Sequence, residues 1–262
     1  MSEVIRFEIQ DRIATLTLNR PDKLNAIVPE MEEGFREALR RSAEPDVKAL
    51  FLRGEGRGFC AGGDLGWIMK AVADERWSEL NGLLHLGADV AHGLATLPKP
   101  VIAVMQGPCA GAGLSLALSA DLRIATPDAK LSMAFVKIAL HPDWGGSVML
   151  QRLVNPGTAA ELMFGGDAID AERAHALGLV NQVVDPEVLE DVVKVTAQRF
   201  AHGPAGAYSR IKQTLLRNSG FTPELLRLRL EAEGEQMSQA IRTPDAAEGM
   251  RAFLEKRAPR FA

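Results

Sequence analysis

Two stretches combine residue types and spacing that suit chemistry: Gly107 to Asp121 (GPCAGAGLSLALSAD) and Phe59 to Leu65 (FCAGGDL). In each, a strand-like segment meets glycine and a helix is expected to follow. Pro100 to Gln106 (PVIAVMQ) reads as a buried strand before a tight turn that feeds straight into a helix. The second helix is expected to start near Asp64. Gly107, Ala110, Gly111, Ala112 and Gly113 carry almost no side chain, so another helix or a ligand can come close to the backbone. The first amides of a helix have no partner inside it and carry the positive end of its dipole. A ligand oxygen that gains negative charge is stabilised at such a point. The same residues also suit a small-residue helix packed tightly in a core, and the stretch alone leaves both readings open.

Other chemistries find less support. Cys60 and Cys109 lie near glycines in apolar loops and read as small buried residues, not as nucleophiles or a disulfide framework. No His/Cys/Asp cluster has metal-ligand spacing, and no Rossmann or P-loop fingerprint occurs. A net charge of −4 gives no reason to expect nucleic acid or an anionic membrane as partner. The start, MSEVIRFEIQ, lacks a signal pattern, and no apolar run reaches about 18 residues. The expectation is a cytoplasmic protein. With 262 residues and 47% hydrophobic content, the chain can bury one large core, with or without a small appended module.

The elements that must position these stretches follow from periodicity. Val4 to Ile9 and Arg12 to Asn19 alternate as two strands, joined at Gln10-Asp11. Asn19 to Ile27 (NRPDKLNAI) is a loop, Pro29 opens a helix to about Ala43, and Val47 to Arg53 is a third strand. Residues from Asp64 to Arg76 show weak periodicity and are expected to be mobile. Trp77 to Leu97 reads as a long helix stopped by Pro98 and Pro100. Leu122 to Ala125 and Leu179 to Val184 read as strands, and Lys130 to Ala139 has no clear pattern. Helices are expected at Ser147 to Val154, Asn155 to Met163 and Asp170 to Leu177. From Pro186 onward every element reads as helical, with starts at Pro186, Pro204, Thr222-Pro223 and Thr243-Pro244. The order implies an α/β core over residues 1–200 and a C-terminal helical module over 201–262. Leu225, Leu226, Leu228 and Leu230 give that module more apolar surface than one helix buries on itself, which suits an oligomer interface.

In four segments taken in order, the chain resembles the crotonase superfamily, the enoyl-CoA hydratase/isomerase family. They are RPDKLNAI (Arg20 to Ile27), FCAGGDL, KPVIAVMQGPCAGAGLSLALSADLRIA (Lys99 to Ala125) and GGDAIDAERAHALGLVNQVV (Gly165 to Val184). The resemblance implies a ClpP-like spiral of ββα units and assembly as a homotrimer or dimer of trimers through the C-terminal helices. It implies acyl-CoA thioesters as ligands, with coenzyme A as part of the substrate and no separate cofactor or metal. The thioester oxygen would sit between the backbone N–H groups of Gly63 and Ala112. The loop Lys23, Leu24 and Ala26 would lie along the CoA, with Ala61, Asp64 and Leu65 nearby. Lys256 and Arg257 would meet CoA phosphates of a neighbouring subunit, or else form a solvated helix end.

The chain departs from the hydratases of that family. Ser115 and Phe135 stand where they carry two glutamates, and neither replaces a carboxylate that positions and deprotonates water. The remaining candidate acid/base is Asp143 in HPDWGG. The segment Met133 to Gly146 resembles the epoxyphenylacetyl-CoA isomerase subgroup, whose members place an aspartate there; the alternative is that Asp143 caps the next helix. Trp144 is expected to wall the acyl pocket, and Ser115 to touch substrate. An enoyl-CoA isomerase is the leading expectation. A hydratase, a thioester hydrolase or aryl-CoA dehalogenase using Asp143, and a non-catalytic acyl-CoA or RNA binder remain alternatives.

Overall fold

The computed structural model describes residues 4–262. Strands β1 (Ile5–Gln10) and β2 (Ile13–Leu18) form an antiparallel hairpin in which Gln10 faces Ile13. The connecting pair is Asp11-Arg12, one residue later than the sequence suggests. Both have positive φ, 49° and 70°, the geometry whose twist matches a two-residue hairpin. A 3-10 turn, Pro29–Met31, leads into α1 (Glu32–Ser42), and β3 (Ala49–Gly54) then pairs parallel with β2.

The helix expected to start near Asp64 is α2 (Leu65–Ala73), which is regular despite the weak periodicity of its sequence. Its N-terminus is fixed because the Asp64 carboxylate accepts the Trp67 N–H at 3.2 Å. The long helix α3 (Trp77–Thr96) leads to β4 (Val101–Met105), which is buried throughout. The turn at Gly107 does not feed straight into a helix. A short strand, β5 (Pro108–Ala110), comes first, and α4 (Ala112–Leu118) starts after Gly111.

The rest of the core comprises β6 (Leu122–Ala125), β7 (Lys130–Ser132) and a 3-10 turn, Ala134–Ile138. Then come α5 (Gly146–Leu153), α6 (Pro156–Gly165), β8 (Ile169–Asp170), α7 (Ala171–Ala176) and β9 (Gln182–Val183). The unpatterned segment Lys130 to Ala139 thus resolves into β7 and the turn, and the last strand is shorter than expected. One sheet runs β1-β2-β3-β4-β6-β9, parallel beyond the first hairpin. The smaller sheet runs β5-β7-β8.

After β9 come α8 (Leu189–His202), α9 (Ala205–Asn218), α10 (Pro223–Ala240) and α11 (Pro244–Leu254). Thr222 and Thr243 cap the last two, accepting the N–H groups of Leu225 and Ala246 at 3.2 Å. Residue 200, where the sequence places the end of the core, falls inside α8. The buried ammonium of Lys212 ties α9 to the core, donating to Asp121 Oδ2 at 2.7 Å and to the carbonyl of Leu94 at 2.8 Å. Leu226 and Leu230 are buried, while Leu225 and Leu228 stay exposed. Among the described residues no helix is long and apolar enough to cross a membrane.

Candidate active site

The two glycine-rich turns lie side by side. A parallel bridge between Cys60 and Cys109 sets their register, with the Cys60 N–H donating to Pro108 O at 3.2 Å and the Ala110 N–H to Cys60 O at 2.9 Å. Small residues make this approach possible. A Cβ on Gly113 would stand 2.3 Å from the carbonyl oxygen of Cys60, and one on Gly62 2.9 Å from that of Ala110. Gly111 adopts φ 52°, ψ −130°, a region closed to side-chain-bearing residues. Past these contacts come Gly63 and Ala112. The Gly63 N–H and the Ala112 N–H donate to no protein group among the described residues, and both residues line one cavity. Two unclaimed amides on one cavity wall can donate to a ligand oxygen that gains negative charge. Both cysteines are buried, and burial pushes the Cys60 thiol up to about 12, so neither is a nucleophile at neutral pH.

The cavity has a volume of about 290 Å³. Its walls come from α2, α3, the turn Ala134–Ile138, α10 and α11, with Leu80, Leu83, Met237 and Ile241 among the apolar contributors. Asp143 is the carboxylic acid among its described lining residues. It is 8% exposed, and its Oδ1 is buried without a hydrogen-bond partner. It does not cap α5: the first residue before that helix is Gly145, and no side chain caps it. Burial, reinforced by the negative field of Glu233, holds the Asp143 carboxyl well above the usual carboxylate range.

Trp144, the next residue, also lines the cavity and meets the Phe35 ring edge-on at 5.5 Å. Its indole occupies the space a Cβ on Gly87 would need, with Cδ1 and Nε1 2.6 Å away. Phe35 is in contact with the ring, so the ring has little freedom to yield. Gly87→Ala is therefore expected to cost about 1–3 kcal/mol of stability by overpacking. It should lower turnover as well, because the displaced residue is bonded to Asp143. Thermal denaturation and turnover measured on the same variant check both effects.

The other sequence candidates divide clearly. Ala61, Leu65 and Phe135 line the cavity with Gly63, Ala112, Asp143 and Trp144. Ser115 does not. It is fully buried, donates to Gly111 O at 3.2 Å, and its Oγ would sit 2.4 Å from a Cβ on Gly146. Its side chain thus packs α4 on α5, outside the cavity lining. Asp64 also lies outside the lining, engaged with Trp67 N and with Arg20 Nη2 at 2.9 Å. Lys23, Leu24 and Ala26 form a separate loop beside the first turn, where the Ala61 N–H donates to Leu24 O at 2.9 Å and Lys23 is exposed. Arg257 is taken up by Glu248 and Glu255, each at 2.6 Å, with Lys256 exposed next to it.

Two residues escaped the sequence reading. Asn25 knots the loop, its amide donating to Glu55, Gly58 and Phe59 carbonyls at 2.9, 2.8 and 3.2 Å. Glu233 is a carboxylate within the buried stripe Leu226, Leu230, Glu233, Met237 of α10. A charged residue at helical spacing among apolar ones is the signal that identifies it.

A family model described as enoyl-CoA hydratase/isomerase matches residues 8–262. A 1,2-epoxyphenylacetyl-CoA isomerase of Escherichia coli (strain K12) is 39% identical, covering 100% of this chain and 99% of its own length. A trans-2-decenoyl-acyl-carrier-protein isomerase of Streptococcus mutans is 34% identical over 98% of this chain and 97% of its own. The crystal structure of an enoyl-CoA hydratase from Mycobacterium avium subsp. paratuberculosis superposes with a TM-score of 0.88 at 30% identity, covering 99% and 98% of the two chains.

Proposed function

The chain belongs to the enoyl-CoA hydratase/isomerase family, with its crotonase fold, and within that family we propose that it is an isomerase shifting a double bond in an enoyl-CoA. The observation that carries this reading is Asp143, the lone carboxylic acid among the described residues lining the cavity, with a buried, unpartnered oxygen. Hydration requires groups to position water, deprotonate it and protonate carbon. At the two positions where hydratases of the family have glutamates, this chain has Ser115, outside the cavity lining, and Phe135, apolar. A double-bond shift needs one group that takes a proton and returns it. The names of the two isomerase relatives support the same choice.

In this mechanism the thioester oxygen receives hydrogen bonds from the Gly63 and Ala112 amides. Asp143, ionised, removes a proton from the α carbon of a 3-enoyl-CoA. The C–H electron pair moves into the dienolate, whose charge falls on the thioester oxygen, and each amide stabilises it by about 3–4 kcal/mol. Asp143, now neutral, delivers the proton to the γ carbon, and the double bond emerges conjugated with the thioester. The apolar walls suit an uncharged acyl group.

A 3-enoyl-CoA incubated with the protein in heavy water is expected to yield the 2-enoyl product with deuterium at the γ carbon. If Asp143 returns its proton before exchange, an α-deuterated substrate in ordinary water gives the label at the γ carbon instead. Release of free CoA, or a 3-hydroxyacyl product in place of the 2-enoyl one, overturns the reading.

A further inference from the structure

We propose that Glu233 of α10 is a positioning residue for Asp143: its carboxylate clamps the turn Asp143–Ser147 so that Asp143 presents a free oxygen to the cavity. This rests on the reading of Asp143 as the acid/base. Glu233 is 5% exposed and lies 90 positions along the chain from Asp143. Its Oε2 accepts the Gly145 N–H at 2.7 Å, and its Oε1 accepts the Ser147 N–H at 2.7 Å and the Ser147 hydroxyl at 2.6 Å. A carboxylate buried this deeply is tolerated only where donors replace its water. Here all three come from the segment that carries Asp143.

The turn needs holding. Asp143 to Gly146 closes with the Gly146 N–H donating to Asp143 O at 2.9 Å, and its two central residues, Trp144 and Gly145, have φ 55° and 82°. Such a turn favours glycine, asparagine or aspartate at both central positions. Tryptophan there is strained, by about 1–3 kcal/mol. The Glu233 bonds on either side of Gly146 oppose relaxation of that strain. Relaxation would swing Asp143, whose own side chain has no bond to hold its Oδ1.

The clamp also fixes where charge resides. Burial pushes the Glu233 carboxyl above its ordinary value, while the hydrogen bonds accepted by both oxygens favour the ionised form. Among the described residues Glu233 is the charged group whose field acts on Asp143, adding to the effect of burial. Lys137 of the 3-10 turn and Arg242 beyond α10 line the same cavity. The first pairs with Asp167 at 2.6 Å and the second lies over the Trp77 ring at 4.2 Å. His141, two residues before the turn, is engaged through Nδ1 with Pro142 O at 2.7 Å. A negative Glu233 keeps the Asp143 proton available at a higher pH, as an acid that must give it back requires.

Glu233→Gln tests this with the enoyl-CoA substrate. The amide keeps the shape, loses the charge and turns an NH2 group, a donor, against the donors that faced one carboxylate oxygen. We expect kcat to fall at least tenfold with KM within about threefold. The acid limb of the kcat/KM profile should move to lower pH, which a merely structural role would not produce. Glu233→Asp, charged but shorter, should lose kcat with the limb in place. A wild-type kcat or an unmoved acid limb in Glu233→Gln overturns the proposal while Asp143→Asn is inactive. Full turnover in Asp143→Asn instead overturns the acid/base reading beneath it. If Glu233→Gln does not fold, Ser147→Ala decides. Loss of that donor should lower kcat severalfold at constant KM, and an unchanged kcat overturns the clamp.

Discussion

Asp143→Asn is expected to lower kcat by about 10²–10⁴-fold, the usual contribution of a positioned acid/base, while KM changes little. Asparagine matches the shape of the neutral acid and keeps the turn, but it cannot take the α proton. The same substitution should make the protein more stable at neutral and alkaline pH. Burial and the Glu233 field raise the folded-state pKa of Asp143 above its unfolded value. For such a group the neutral form favours folding below the unfolded pKa, and that contribution is lost as pH rises through the folded pKa. The ionised Asp143 is therefore a liability that asparagine does not carry. Thermal unfolding of the two proteins at several pH values should show the variant's advantage growing with pH. A variant that is slower and more stable separates loss of chemistry from loss of fold. Comparable turnover in both proteins would remove Asp143 from the mechanism.

The parts of the site built from backbone were the most legible in the sequence. Two strand–glycine–helix stretches announce themselves because only glycine permits the contact between Cys60 O and Gly113. The hairpin and the capped C-terminal helices were readable for the same reason: their signals are local. The start of α2 near Asp64 was legible for that reason too, but its extent was not: Leu65 and Ile68 line the cavity, Ala71 is buried, and Trp67 and Met69 are partly buried, so apolar side chains occupy more than one face. The strand β5 was hidden by its length, three residues between two glycine turns. Ser115 was expected to reach substrate because it lies one turn from Ala112. Every residue of α4 is buried, so that spacing cannot tell the cavity side from the side facing α5. The cavity walls from α10 and α11, and Glu233 with them, depend on how distant helices dock, which no local pattern encodes.

Ala112→Pro is expected to cost about 10²–10³-fold in kcat, the effect of deleting one oxyanion donor. Side-chain exchanges at Gly63 or Ala112 leave the amide in place, so a donor supplied by the backbone has to be removed through the backbone. Proline does this, and its position decides whether the fold survives. Ala112 is the first residue of α4, where a helix has no internal acceptor for the N–H and where the fixed φ of proline suits the first turn. The residue before it, Gly111, is not in the helical region that a following proline disfavours. No hydrogen bond among the described residues is lost, since the Ala112 N–H donates to none of their acceptors. The pyrrolidine Cδ also takes the place of the donated hydrogen, so KM should rise along with the fall in kcat. The contrasting variant is Gly113→Ala, one residue on. There the amide is kept, but the new Cβ meets the Cys60 carbonyl at 2.3 Å and forces apart the two segments that carry the donors. It should lose both stability and turnover, whereas Ala112→Pro should lose turnover alone. Circular dichroism, thermal unfolding and steady-state rates on the pair distinguish the outcomes. If Ala112→Pro folds and turns over at the wild-type rate, this amide does not hold the developing charge.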